Sequence, residues 1–403
     1  MPRFEPFAGV RYDLDRVDLD DVVAPPYDVI GPEDQTAFEA RSPFNVVHID
    51  LAREESGHDR YTTAGRRFDD WLAQGVLRTD SEPGFYAYRM GYHDPDGHNR
   101  QIVGVLGALE VVAPGEGDVL PHEETQHKVR DDRLRLLRAC RADLSPVWGL
   151  SMAEGLTELA TGAAGAPVAR CTDEEGVHHR LWRLTQPGAV EAVAATVASA
   201  PVVIADGHHR YATALAHRDE LRAARGGPGG DGDLLLALVC ELRDGQASVR
   251  PIHRVIAGLP DDLDLVAALE PFFEPVAAVG PISALPERMV SEGGLGLVLG
   301  PERAWLLLPR SPAAGPEGDP PPDAALLDLA LATLPSHVLT FDHSLDSVTA
   351  AVGSGQASAA VLLRPVDVRQ IARTAVAGRR MPTKTTFFHP KPRTGMVFRR
   401  LSS

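Results

Sequence analysis

Pro201-Val202-Val203-Ile204-Ala205-Asp206-Gly207-His208-His209-Arg210-Tyr211 sets a short apolar run against a polar turn, and from Tyr211 a helical pattern continues to Arg225. An apolar run of this length, rich in β-branched residues, suits a buried strand. Asp206 can cap or close the turn, Gly207 lets the backbone approach a ligand closely, and the first N–H groups of the helix form an anion site. Two imidazoles and a guanidinium placed there oppose the helix dipole unless an anion is present. Gly207, His208, His209 and Arg210 therefore read as a phosphate cradle. A strand, a ligand-bearing turn and a helix in this order predict an α/β chain, mixed α+β in detail, with its site at the junction.

Working outward, Val119-Leu120 is strand-like and leads into Pro121-His122-Glu123-Glu124-Thr125-Gln126-His127. The helix that follows is expected over Asp131 to Arg141, with acids at its start and arginines toward its end. Val147 to Leu150 and Val177 to Leu184 read as strands, and Val190 to Ala198 as a helix. After the glycine-rich connector 226–232, Leu234 to Leu242 reads as a central strand from its continuous apolar character. These elements define an expected core over 116–258. Ahead of it, 1–115 holds a rigid Pro25-Pro26 loop, a helix closing at Gly75, and a hairpin of 84–91 with 101–112 across Asp94-Pro95-Asp96-Gly97. Beyond it, 259–403 alternates Ala/Leu helices with short strands around an expected loop at 311–323, and its tail could return to the site.

The chain has 403 residues, 44% hydrophobic and 24% charged, with 40 basic against 56 acidic residues and a formal charge of −16. Length and composition suit two or three globular domains. An acidic surface repels phosphodiester backbones, which argues against a nucleic-acid partner. Cys140, Cys171 and Cys240 are too few and too scattered for a disulfide framework or a cysteine zinc site, and read as buried thiols in a reducing compartment. Met1 to Phe7 has no apolar signal core and no stretch is long enough to span a bilayer, so no membrane partner and a cytoplasmic location are expected.

His122 and His127 are five apart, off one helix face, which excludes the zinc-protease reading that needs i and i+4. Glu123 or Glu124 could serve as a general base or as a ligand for magnesium. Lys128, Arg130, Arg133, Arg135, Arg138 and Arg141 form a basic island, part of it ordinary helix pairing such as Asp131 with Arg135 and part a possible site for anionic groups. Lys384 and Lys391 could close over phosphates, and Tyr27, Asp28 and Asn45 are expected to meet a small substrate. There is no P-loop, no G-x-S-x-G nucleophile elbow and no C-x-x-C. A phosphate-using enzyme must rely on a different cradle.

Val22 to Ile30, Ser42 to Val47, Leu120 to Glu123, Asp131 to Ala139, Ile204 to Tyr211 and Met381 to Phe388 together resemble a bacterial and archaeal family known as domain of unknown function 1015, over essentially the whole chain. The acidic His-Glu-Glu turn leading into one helix, with Asp-Gly-His-His-Arg opening another, is similar to the ParB/sulfiredoxin-like superfamily and its free-serine kinases. That resemblance implies a ParB/sulfiredoxin-like central unit elaborated by flanking α/β segments. It implies Glu123 as catalytic base, with Glu124 less favoured, and Asp206 assisting the acceptor or a metal. Gly207, His208, His209 and Arg210 would bind nucleotide phosphate. Sulfiredoxin chemistry is not indicated, because its reactive cysteine would fall where this chain has histidine.

The function expected from both readings is a nucleotide-dependent phosphotransferase acting on a small hydroxylated metabolite, with serine the first substrate to try. Its catalytic residues would be Glu123, Asp206 and His209. Lys128, Arg130, Lys384 and Lys391 would join the cradle, and ATP or ADP, with magnesium, would be the cofactor. The alternatives are a phosphatase of a compound such as phosphoserine, or a nucleotide-sensing regulatory protein. The kinase reading requires Glu123 and the 206–210 turn to face one cleft.

Overall fold

The computed structural model describes residues 1–401 except 56, 95–96, 124, 126, 244–247, 311–321 and 383, and leaves out the side chain of His127. The architecture is mixed α+β and divides into two units. The first holds residues 1–248 with 375–378 and 390–403, and the second holds 249–374 with 379–389.

The first unit is built on a nine-stranded sheet. Its strands are β1 (Phe4–Glu5), β2 (Phe85–His93), β3 (Asn99–Glu110), β4 (Val119–Pro121), β5 (Val147–Ser151), β6 (Ala169–Thr172), β7 (His178–Leu184), β8 (Val202–Asp206) and β9 (Leu234–Glu241). They lie in the order β4-β8-β5-β9-β3-β2-β7-β6, with β1 pairing β3. Most pairs are antiparallel, but β8 runs parallel to β4 and β9 parallel to β5. The Leu/Val run of β9 is buried along nearly its whole length between β5 and β3, as a strand covered on both faces should be. Residues 1–115 and 116–258 therefore do not part at 115: β3 pairs with β9 from Leu234↔Glu110 to Cys240↔Gly104, so the expected boundary runs through one sheet. The first unit ends its main segment at 248, and residues 390–403 fold with it.

One face of this sheet carries a core that includes Phe4, Phe85, Val105, Leu109, Trp182, Val202, Ile204, Tyr211 and Val239, each 8% exposed or less. Large apolar side chains buried this fully contribute roughly 1.5–3 kcal/mol apiece. The principal helices are α1 (Arg60–Ala73), α2 (His127–Cys140), α3 (Pro187–Ala198) and α4 (His208–Arg225). α2 packs against both α1 and α4. At Gly65 of α1 an added Cβ would stand 2.5 Å from the Ala139 carbonyl oxygen, so glycine permits this close helix crossing. Cys140, Cys171 and Cys240 are free and buried, as expected. Among the described residues no helix is long and apolar enough to cross a membrane.

The second unit is a six-stranded antiparallel sheet in the order Phe273–Ala277, Arg303–Pro309, Leu295–Gly300, Ala359–Leu362, His253–Ala257, Val338–Asp342. Alternate strand residues face two cores. Ile256, Leu297, Leu307 and Val361 pack with Leu265, Leu269, Leu327 and Leu331. Val255, Val298, Leu306 and Leu362 pack with Leu285, Met289, Val348 and Val352. Helices on both faces explain why these strands read as continuous apolar runs rather than alternating ones. Most of the loop expected at 311–323 lies outside the described residues.

Candidate functional site

β8 ends at Asp206, and α4 starts at His208, three residues before the Tyr211 at which the apolar pattern begins. The link is Gly207, whose φ of 89° lies in the left-handed region. A Cβ there would stand 3.1 Å from the guanidinium of Arg210. Both conformation and space therefore favour glycine. The consequence for the site is that His208 and His209 sit in the first helical turn, where backbone N–H groups have no intrahelical acceptor.

Asp206 organises the cations of this turn. Its Oδ2 accepts from Arg210 Nη2 at 2.8 Å, one helical turn on. Its Oδ1 accepts from Lys391 Nζ. Arg210 Nη1 also donates to Ser145 Oγ at 3.3 Å and to the Pro146 carbonyl. The side chains of Lys391, Arg210 and Asp206 are 9%, 10% and 13% exposed. Burial alone would push the Asp206 carboxyl up, but Lys391 and Arg210, with a smaller contribution from His208, hold it well below the usual carboxylate range. An ionised carboxylate thus fixes two cations at the N-terminus of an eighteen-residue helix, an arrangement able to meet an anion.

The His-Glu motif reaches the same place through sheet pairing. β4 lies parallel to β8 with Pro121 opposite Ile204, so the chain leaves β4 beside the turn. His122 Nδ1–H donates to the Ile204 carbonyl at 2.6 Å, and the main-chain N–H of His122 donates to His208 Nε2 at 3.3 Å. The two rings meet edge to face with centroids 4.5 Å apart. Burial drives His122 down to about 4, so it is neutral at physiological pH. Glu123 is half-buried and one peptide on, its Cα about 3.8 Å from that of His122. Glu124 lies outside the described residues.

Other expected site residues part company here. Asn45 is fully buried, with Nδ2 donating to the Asp21 carbonyl at 2.7 Å and Oδ1 accepting from the Val47 N–H at 3.1 Å. Its amide is used up in holding a loop, and the expectation that it binds substrate is corrected. Asp28 is exposed on the single 3-10 turn Tyr27–Val29 that follows the prolines, within the stretch read from sequence as a rigid loop. Tyr27 is half-buried under the guanidinium of Arg133, 4.2 Å from its ring centroid. Lys384 folds with the second unit, where its carbonyl accepts from Arg254 Nη1 at 2.8 Å. Lys128 is exposed in the first turn of α2, while Arg130 pairs loosely with Asp131 at 3.5 Å and its carbonyl accepts from Thr213 of α4 at 3.3 Å.

The basic island is largely structural. Arg133 binds Asp50 at 3.0 Å and Asp132 at 2.7 Å, Arg135 lies 3.6 Å from Asp59, and Arg138 pairs with Glu220. Local spacing could not show this, because Asp50 is 83 positions away from Arg133. Ser145 was missed as a site residue for the same reason. The second His-His-Arg, at 178–180, has a different use: His179 is fully buried between Tyr88 Oη at 2.8 Å and Asp173 at 3.1 Å.

Among solved structures the chain is similar to a conserved hypothetical protein from Pyrococcus furiosus, at 13% identity over 67% of this chain and 87% of that one, with a TM-score of 0.36. It is similar to a free serine kinase in complex with AMP, at 12% identity over 67% and 83%, with a TM-score of 0.36. It also matches SbnI with a C-terminal truncation from Staphylococcus aureus, at 11% identity over 72% and 86%, with a TM-score of 0.39. No curated protein matches it. The model of a family described as a protein of unknown function, DUF1015, matches residues 4–333, and the chain belongs to that family.

Proposed function

We propose that the first unit binds a nucleotide, ATP or ADP, through the Asp206–Arg210 turn and transfers its terminal phosphoryl group to a small hydroxylated metabolite, serine being the first to test. The observation that carries this reading is the meeting of Asp206, Arg210 and Lys391 at a glycine-opened helix N-terminus, with His122 against His208. The resemblance of the same two motifs to the free-serine kinases adds to it. Phosphates would accept from the N–H groups of His208 and His209, from Arg210 and from Lys391, so that charge developing on the transferring group meets donors already in place. Glu123 would take the proton of the acceptor hydroxyl, whose oxygen forms the new bond to phosphorus as the bond to the departing nucleotide oxygen breaks.

Among the described residues no group of three His, Cys, Asp or Glu side chains is placed to hold a metal, and both oxygens of Asp206 are engaged. An ion carried on the nucleotide phosphates is compatible with this arrangement. The test is incubation of the full chain with ATP or ADP, magnesium chloride and serine, followed by phosphorus NMR. Appearance of phosphoserine supports the reading, and tight nucleotide binding without any transfer would leave a sensor in its place.

A further inference from the structure

Three arginines stand in one row near the β6 edge of the first unit's sheet. Arg180 of β7 lies directly opposite Arg170 of β6 on one side and Arg89 of β2 on the other. β7 is five strand spacings from β8, about 24 Å at the usual separation, so the row is separate from the Asp206–Arg210 turn. The Thr172 N–H points away from β7, to Asp20 Oδ1 at 2.9 Å. Residues 170 and 172 therefore occupy the non-hydrogen-bonded positions of their antiparallel pair, where opposed Cα atoms are about 4.5 Å apart and side chains come closest.

Like charges directly opposite one another destabilise a sheet, and here nothing described neutralises them. Arg170 and Arg180 are exposed and form no ion pair with a described carboxylate. The chain holds 56 acidic residues against 40 basic ones, so a shortage of carboxylates is not the cause. The acids that follow β6 are committed elsewhere, Asp173 to His179 and Arg393, and Glu174 to Arg41 and Arg393. Arg89 is anchored by the carbonyls of Ala160, Thr161 and Ala163 at the end of the helix Leu156–Thr161, with its guanidinium 4.2 Å from the centroid of the Trp182 ring. Arg170 and Arg180 remain as the accessible pair.

These two arginines line a cleft of about 430 Å³ together with Thr172, His178, Asp18 and Asp20. Thr172 and His178 are opposite each other two residues along the same face, with Oγ1 and Nδ1 hydrogen-bonded at 3.0 Å. Asp18 and Asp20 each accept from a backbone N–H, of Asp20 and Thr172 respectively.

We infer that Arg170 and Arg180 hold the phosphoryl group of a small phosphate monoester, with His178 and Thr172 beside it. Two guanidiniums balance one phosphate dianion, and their planar donors match its oxygens. A carboxylate would neutralise only one of them. Asp18 and Asp20 repel further negative charge, which favours a single phosphoryl group over a polyphosphate chain or a nucleic acid. A cleft of this volume takes a molecule of metabolite size. The inference goes beyond the phosphoryl-transfer reading and stands without it.

The test is calorimetric titration of glycerol phosphate into the full chain without nucleotide, at about pH 8, where the phosphoryl group, with a second pKa of about 6, is a dianion. Glycerol and sodium acetate are the controls. The same titrations are run in Arg210→Gln, which removes any phosphate held at the Asp206 turn and so keeps this inference distinct from the nucleotide reading. Saturable binding by glycerol phosphate alone is expected, in wild type and in Arg210→Gln. Arg170→Gln and Arg180→Gln should each weaken it by about tenfold or more. Both side chains are exposed, and removing one of two opposed charges should raise the melting midpoint of the unliganded chain. No binding by wild type, equal binding of acetate, undiminished binding in both arginine variants, loss of all binding in Arg210→Gln, or a lower midpoint in Arg170→Gln and Arg180→Gln would overturn the inference. A short phosphoserine peptide that binds more tightly than glycerol phosphate by more than about tenfold would overturn the assignment to a metabolite.

Discussion

Replacing Lys391 with methionine probes the centre of the site, because it keeps the volume of the side chain and removes one of the two cations on Asp206. Two unit charges about 4 Å apart attract by about 4 kcal/mol at an effective dielectric constant of 20. Arg210 remains on Oδ2 at 2.8 Å and keeps part of the compensation. The desolvation of a lysine side chain only 9% exposed is also relieved. A net loss of about 2–3 kcal/mol follows, at or below the lower end of the roughly 3–5 kcal/mol typical of a broken buried pair. In a domain of this size that lowers the melting midpoint by about 4–12 °C. The pH dependence has a definite sign. The Asp206 carboxyl is depressed in the folded state, so its stabilisation is present above the unfolded value near 3.9 and is lost as pH falls toward the folded value. Calorimetric scans of wild type and Lys391→Met should therefore differ by a constant amount from pH 5 to 8 and converge below about pH 4. Equal midpoints at neutral pH, or a gap that widens in acid, would refute the reasoning.

Gly207→Ala forces a left-handed φ on a residue with a Cβ, costing about 1–2 kcal/mol, and displaces Arg210, so nucleotide affinity should fall about tenfold by calorimetry. Asn45→Ala should lower stability by about 2–3 kcal/mol in urea melts while leaving nucleotide affinity unchanged. His122 is buried and neutral with its value down at about 4, so its share of stability is full above the unfolded value near 6.5 and declines as pH falls toward 4, by up to about 3 kcal/mol. His122→Asn should flatten the stability profile between pH 6.5 and 4; an unchanged slope would contradict the assignment. Glu123→Gln should keep nucleotide binding and reduce turnover by about 10²–10⁴, whereas His209→Ala should weaken binding itself, the imidazole of His209 being taken to meet the phosphates beside its backbone N–H. Equal effects of the two would contradict their division of roles.

Local signals in the sequence proved reliable where one element carries them. The hairpin, the central strand at 234–241 and the strand leading to Asp206 occur as their patterns predict, within a few residues. The start of α4 was misplaced because Gly207, in its left-handed conformation, caps the helix ahead of the apolar stripe. What the sequence could not show are the pairings chosen by packing between distant segments. Lys391 meets Asp206 across 185 positions and Arg133 meets Asp50 across 83, distances over which no helical or strand period operates. Those two contacts decide opposite questions: the first adds a cation to the turn, and the second turns much of an apparent anion site into a structural ion-pair network. Asn45 illustrates the same limit, since an amide bonded to three backbone groups has no sequence mark distinguishing it from a substrate ligand.

The central claim is that the glycine-opened helix N-terminus, with Arg210 and Lys391, is a phosphate cradle for a nucleotide. Calorimetric titration of ADP into the wild-type chain and into Arg210→Gln tests it most directly. The account predicts saturable binding by wild type and a loss of about tenfold or more in the variant, the effect of removing a charge-assisted contact to phosphate. No ADP binding by the folded wild-type chain, or equal affinity in both proteins, would contradict it.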